Sequence, residues 1–142
     1  MRLKTIKPKF VRLVSQLYDW FPVLSSSSQS PPLILSHPES TIVPKNDPVT
    51  LRCDTSGDPL PEIIWRRNGR KVTTAADDHR SRRVLLPNGS LFFLRTVHSR
   101  KETDGGIYSC VARNTLGSVE SRNASLTIAG EEHIILYEII NF

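Results

Sequence analysis

Cys53 and Cys110 are the only two cysteines of the 142 residues. Far apart in sequence, they exclude a CxxC redox motif and a zinc site built from cysteine alone. A single disulfide is the simplest reading. Two free thiols in a reducing compartment remain open until the flanking residues are read. The other groups able to do chemistry are sparse. His79 lies beside Asp77 and Asp78, while His37, His98 and His133 occupy unrelated segments without metal-ligand spacing and read as solvated side chains. An enzyme needs a nucleophile with a base, paired carboxylates or a metal set, and the candidates are thin, so neither an enzyme nor a cofactor or metal is expected. Gly105-Gly106 reads as a turn, not as a phosphate-cradling loop.

Charge is the second chemical feature. Between Arg66 and Lys101 ten Lys or Arg residues face only Asp77 and Asp78, a local +8 within a chain of net +5. Such a stretch attracts polyanions, whether nucleic acid, anionic lipid or sulfated glycan, and the alternative is a solvated basic face. At 38% hydrophobic and 23% charged residues the chain has the composition of an ordinary globular protein, and its length suits one domain with flanking tails.

The elements that must position these groups read as short strands separated by Gly, Pro, Asn and Asp. In P-V-T-L-R-C, Val49, Leu51 and Cys53 share one face, as period two requires of a half-buried strand. Ile63 and Trp65 share a face of the next strand, which ends at the turn pair Asn68-Gly69. In D-G-G-I-Y-S-C, Asp104, Gly106, Tyr108 and Cys110 alternate, with the tyrosine two residues before the cysteine. That is the spacing of a tyrosine corner, and Cys…Trp…Cys with it specifies an immunoglobulin-type β-sandwich. Cys53 and Cys110 then face each other across the two sheets beside core residues Trp65 and Tyr108, which disfavours free thiols.

The remaining strands follow by alternation. A split first strand is expected over Pro32 to Ser36 and Thr41 to Pro44, interrupted at His37-Pro38. Further strands are expected at Arg83 to Leu86, Leu91 to Leu94 and Val119 to Ile128, with a hairpin at Asn114 to Gly117. No extra strand is expected between Val72 and Arg83, which favours the intermediate (I-set) type. Asn88-Gly89-Ser90 and Asn123-Ala124-Ser125 are candidate N-glycosylation sequons.

L-F-F-L is apolar on both faces. With Leu91, Phe93 and Thr96 inward, Phe92 and Leu94 point outward as interface anchors, unless they pack beneath a neighbouring strand or tail. Arg95, Arg100 and Lys101 follow at once, so an apolar patch adjoins a cationic one.

The runs PPLILSHPEST, LPNGSLFFLRTVHSRK and DGGIYSCVARNTLG resemble the first immunoglobulin domain of the Roundabout axon-guidance receptors, over about 100 of the 142 residues. The resemblance implies an extracellular recognition domain that binds a Slit-type leucine-rich repeat protein through Phe92 and Leu94. It also implies heparan sulfate contacts at Arg95, Arg100 and Lys101. Homophilic contacts, or a structural immunoglobulin module without such a ligand, are the alternatives. Nucleic acid is not an expected partner.

The domain is expected over residues 31–129. Residues 1–30 read as a poorly ordered basic tail or a doubtful secretion signal, because Arg12, Gln16 and Asp19 interrupt its apolar stretch. Residues 130–142 read as a second tail whose apolar runs fall far short of the roughly 20 residues that cross a bilayer. The receptors continue into further domains, a membrane span and a cytoplasmic tail, so the chain reads as a fragment of such a receptor, a truncated gene model or a divergent short product.

Overall fold

Period-two alternation becomes strand throughout the computed structural model, which describes residues 28–130 and 139–141. In chain order the strands are β1 (Ser30–Ser36), β2 (Thr41–Pro44), β3 (Val49–Leu51), β4 (Asp54–Asp58), β5 (Glu62–Arg67) and β6 (Arg70–Lys71). They continue with β7 (Arg83–Leu85), β8 (Leu91–Phe93), β9 (Gly106–Asn114), β10 (Gly117–Glu120) and β11 (Ala124–Ala129). The expectations for the two tails concern residues that mostly lie outside those described.

Two layers result. One holds β3-β8-β7 together with the pair β1-β4, and the other has the order β2-β11-β9-β5-β6 with β10 also on β9. The first strand is split as expected. Its first half pairs antiparallel with β4, and its second half crosses to the other sheet and pairs parallel with β11. The crossover is pinned by two backbone donors: Arg122 N–H to His37 Nδ1 at 3.0 Å and Ser125 N–H to Ser40 Oγ at 2.9 Å. His37 is therefore a structural acceptor and not a freely solvated ring.

Leu51, Leu91 and Phe93 of one layer meet Trp65, Tyr108 and Leu126 of the other in a shared core. The Phe93 ring meets Tyr108 edge-on, with centroids 5.8 Å apart. Cys53 and Cys110 form the expected bridge, with their Cα atoms 6.5 Å apart. Tyr108 Oη donates to the Asp104 carbonyl at 2.6 Å, the hydrogen bond of a tyrosine corner. The Trp65 indole N–H donates to the Gly89 carbonyl at 2.8 Å, so the turn before β8 is tied to the centre of the opposite sheet. No strand lies between Lys71 and Arg83 among the described residues, as expected.

Several strands differ from the sequence reading: β3 ends at Leu51, before Cys53, and β1 begins at Ser30. The run expected over Val119 to Ile128 is broken after Glu120. There the buried Ser121 hydroxyl accepts the Cys110 N–H at 2.9 Å, while Ser121 N–H donates to the Cys110 carbonyl at 2.8 Å. Pairing then resumes one residue out of step, from Glu120↔Val111 to Ala124↔Tyr108, which is a β-bulge. The strands expected to reach Leu86 and Leu94 each end one residue earlier, within the ordinary uncertainty of strand ends.

Candidate functional site

Strand β8 lies between β3 and β7, and its pairing fixes which side chains leave the core. Leu91 and Phe93 are fully buried, as is Thr96 just beyond, while Phe92 is half-buried and Leu94 is 55% exposed. Phe92 is flanked by its Cα partners Thr50 and Val84, so a β-branched residue stands on each side of its ring. Its partial burial comes from these neighbours and leaves it on the outer face. Past Thr50 a groove of about 280 Å³ runs toward Arg52, walled on its other side by His37 and Glu39 of the crossover.

The cations that follow are held by backbone geometry. Thr96 anchors the segment: its N–H donates to the Asp47 carbonyl at 2.9 Å and its hydroxyl to the Pro44 carbonyl at 2.9 Å. Arg95, immediately before it, is exposed. His98 and Thr103 then form an isolated bridge, with His98 Nδ1 and Thr103 Oγ1 2.9 Å apart. Between them Ser99 closes a tight turn. Its Oγ accepts the N–H groups of Lys101 and Glu102 at 3.3 and 3.1 Å, and its N–H donates to the Glu102 carbonyl at 2.7 Å. Arg100 and Lys101 occupy the exposed tip of this turn.

The root of the turn is Asp104, which is fully buried. Its carboxylate accepts from Arg82 Nε at 3.1 Å, Arg83 Nη2 at 2.6 Å and the Val97 N–H at 2.8 Å. Arg82 also reaches Glu102 at 2.8 Å. Burial opposes the Arg82 charge, but Glu102 and Asp104 outweigh it and raise its pKa above the usual value. A buried carboxylate needs such partners, because an unpaired charge in the interior costs several kcal/mol.

The structure also divides the basic stretch. Arg82 and Arg83 are committed to Asp104, Arg66 pairs with Glu120 at 3.3 Å, and Lys71 pairs with Asp77 at 2.8 Å. The last pair, with a Thr74 N–H donated to the same carboxylate, lowers the Asp77 pKa to about 2. Arg95, Arg100 and Lys101 make no ion pair among the described residues, nor do Arg67, Arg70 and Arg80. The expected single basic face is thus a set of structural cations with two smaller groups of uncommitted ones. The Asp104 network was missed by the sequence reading. Its one signal was an acidic residue at an inward position of D-x-G-x-Y-x-C.

Both sequons are exposed at their asparagines. Asn88 sits in the turn before β8, where its Oδ1 accepts the Ser90 N–H at 3.0 Å, and Asn123 lies in the gap between β10 and β11. Among the described residues there is no group of three or more His, Cys, Asp or Glu that could hold a metal, and no helix long and apolar enough to cross a membrane.

Known proteins share this fold. The immunoglobulin domain family matches residues 31–114. Human Roundabout homolog 2 is 55% identical over 100 residues, covering 70% of this chain and 7% of that protein. Mouse neogenin is 40% identical over 103 residues, covering 71% of this chain and 7% of that protein. The chain therefore spans less than a tenth of the length of these relatives. Among solved structures, the N-terminal four immunoglobulin domains of Dscam1 isoform 8.4 match with a TM-score of 0.61 and 30% identity, over 72% of this chain and 26% of that one. The chain belongs to the immunoglobulin domain family, and the domain it carries is of the Roundabout family.

Proposed function

We propose that this domain is an extracellular, non-enzymatic recognition module of a Roundabout-like receptor. It takes a Slit-type leucine-rich repeat protein against Phe92 and Leu94, and a heparan sulfate chain along Arg95, Arg100 and Lys101. The observation that supports this reading most is the contiguity of the two patches. Outward apolar side chains, Phe92 on β8 and Leu94 just past it, run into cations exposed on the following segment and its hydrogen-bonded turn. Apolar anchors supply affinity where they are desolvated, while exposed cations add a salt-sensitive attraction screened over roughly 8 Å at physiological ionic strength.

The test is surface binding to a Slit repeat domain with and without heparin. Phe92→Ser is expected to weaken binding by about tenfold or more while shifting stability little, since truncating a buried anchor at an interface costs about 2 kcal/mol or more. Alanine at Arg95, Arg100 and Lys101 together should lower the salt concentration at which the domain leaves a heparin column. Wild-type behaviour of both variants would overturn the reading.

Homophilic contact is a second reading, favoured by Leu33 and Leu35, which are 58% and 65% exposed on the edge strand β1. Light scattering showing dimers that vanish in a Leu33→Ser, Leu35→Ser double variant would support it. Asn123 and Asn88 are proposed glycan acceptors, checked by a mass shift of secreted protein on glycosidase treatment.

A further inference from the structure

A second group of uncommitted cations lies away from β8. Strand β5 ends at Arg67, the turn Asn68-Gly69 reverses the chain, and β6 begins at Arg70. Between this hairpin and β7 opens a cleft of about 530 Å³ lined by Arg67, Asn68, Arg70, Lys71, Val72, Thr73 and Arg83. Four of these seven are cationic. Two are already neutralised, Lys71 by Asp77 and Arg83 by Asp104. Arg67 and Arg70 are not, so the cleft carries two guanidinium groups for which no carboxylate is supplied among the described residues.

Arg67 lies close to the start of β9. A Cβ built on Gly106 would stand 3.2 Å from Arg67 Nε, so the guanidinium lies against bare backbone at the start of β9. Asn68, at φ 49°, accepts the Ile107 N–H on its Oδ1 at 2.9 Å and donates its own N–H to the Ile107 carbonyl at 2.8 Å. The turn separating the two free arginines is thereby clamped to β9. Val72 is the one apolar side chain of the lining, and it is buried. The cleft lining is therefore mainly polar and cationic, with little apolar surface to anchor a peptide side chain.

The cleft also adjoins the turn of Arg100 and Lys101. Arg83 lines it and binds Asp104 at the root of that turn, and Arg82 beside it binds Glu102. Arg83 thus links the cleft to the root of that turn.

We infer that the cleft between the β5–β6 hairpin and β7 is a second binding site for a sulfated glycan, with Arg67 and Arg70 holding its sulfate groups. Guanidinium suits this task because its fixed fork donates to two oxygens at once. The inference rests on the heparan sulfate reading of Arg95, Arg100 and Lys101 only in its choice of a glycan, and the two sites are separable by experiment.

The probe is heparin, titrated calorimetrically against the domain over a range of salt concentrations. Arg67→Gln with Arg70→Gln is expected to weaken binding about tenfold, as the loss of two exposed charge contacts implies. The slope of log affinity against log salt should fall by about two, one for each cation removed. Lysine at both positions should restore most of the slope. The same loss should appear in a background carrying alanine at Arg95, Arg100 and Lys101. Unchanged heparin affinity in the glutamine variant, with a large loss in the alanine variant, would overturn the second site and leave the first standing. The opposite pattern would uphold the cleft and remove the first. Polyglutamate competing as well as heparin would overturn the assignment to a sulfated glycan. Unchanged thermal melting of each variant would show that the fold is intact.

Discussion

Gly89 holds a φ of +91°, and a Cβ there would come within 2.9 Å of the Ile63 side chain and 3.2 Å of the Cys53 carbonyl. Gly89→Ala should therefore destabilise the domain by about 2 kcal/mol or more, from a left-handed conformation and a steric conflict with the Ile63 side chain together. Urea unfolding of the variant is the check. Tyr108 makes a different prediction. Burial is the main cause that pushes its phenol up from 10.0 to about 12. Because the folded state prefers the protonated form, this stabilisation is complete below pH 10 and is lost as pH rises toward 12. The loss amounts to about 2 to 3 kcal/mol for a shift of this size. Denaturation midpoints followed across that window, against Tyr108→Phe as the control that lacks the effect, would show it. Tyr108 and both cysteines were legible in the sequence because motif spacing states their role. Gly89 read only as half of a good turn pair. Its real constraint comes from Ile63 and Cys53, and no local pattern reports contacts between residues so far apart.

The strands and their inward faces were legible because alternation is a local signal. Leu91, Phe93 and Thr96 are buried while Leu94 is exposed, as the pattern of β8 requires. The break between β10 and β11 was not legible, since it depends on one serine hydroxyl capturing the Cys110 N–H of the neighbouring strand. The basic stretch was misread for a related reason. Its neutralising carboxylates, Glu102, Asp104 and Glu120, lie outside it in sequence and reach it only in the fold. This gives the elements unequal roles. Asp104→Ala would leave the largely buried Arg83 without a carboxylate and Arg82 with Glu102 alone, and should cost about 3 kcal/mol or more as well as loosening the turn of Arg100 and Lys101. Arg95→Ala, on the exposed side of the same segment, should change stability by less than about 0.5 kcal/mol. Thermal or urea melts of the two variants side by side decide whether the turn is rooted in Asp104.

At the scale of the molecule, the disulfide joins residues 57 apart across the two layers. Closing a loop of that length removes roughly 4 kcal/mol of unfolded-state freedom in the chain-entropy treatment. Small domains have only about 5 to 15 kcal/mol in total, so reduction should bring this one to the edge of unfolding. An unchanged melting temperature in excess reductant would contradict that. The two-layer architecture was legible from Cys53, Trp65, Tyr108 and Cys110. How the first strand divides itself between layers was legible only as an interruption at His37-Pro38. The crossing has a mechanical consequence for the domain. Because β2 and β11 run parallel, tension that reaches Thr41 from one side and Ala129 from the other slides the two strands along each other. Their hydrogen bonds are then loaded together and cannot open one at a time, so the domain should resist stretching along its length better than its modest size suggests.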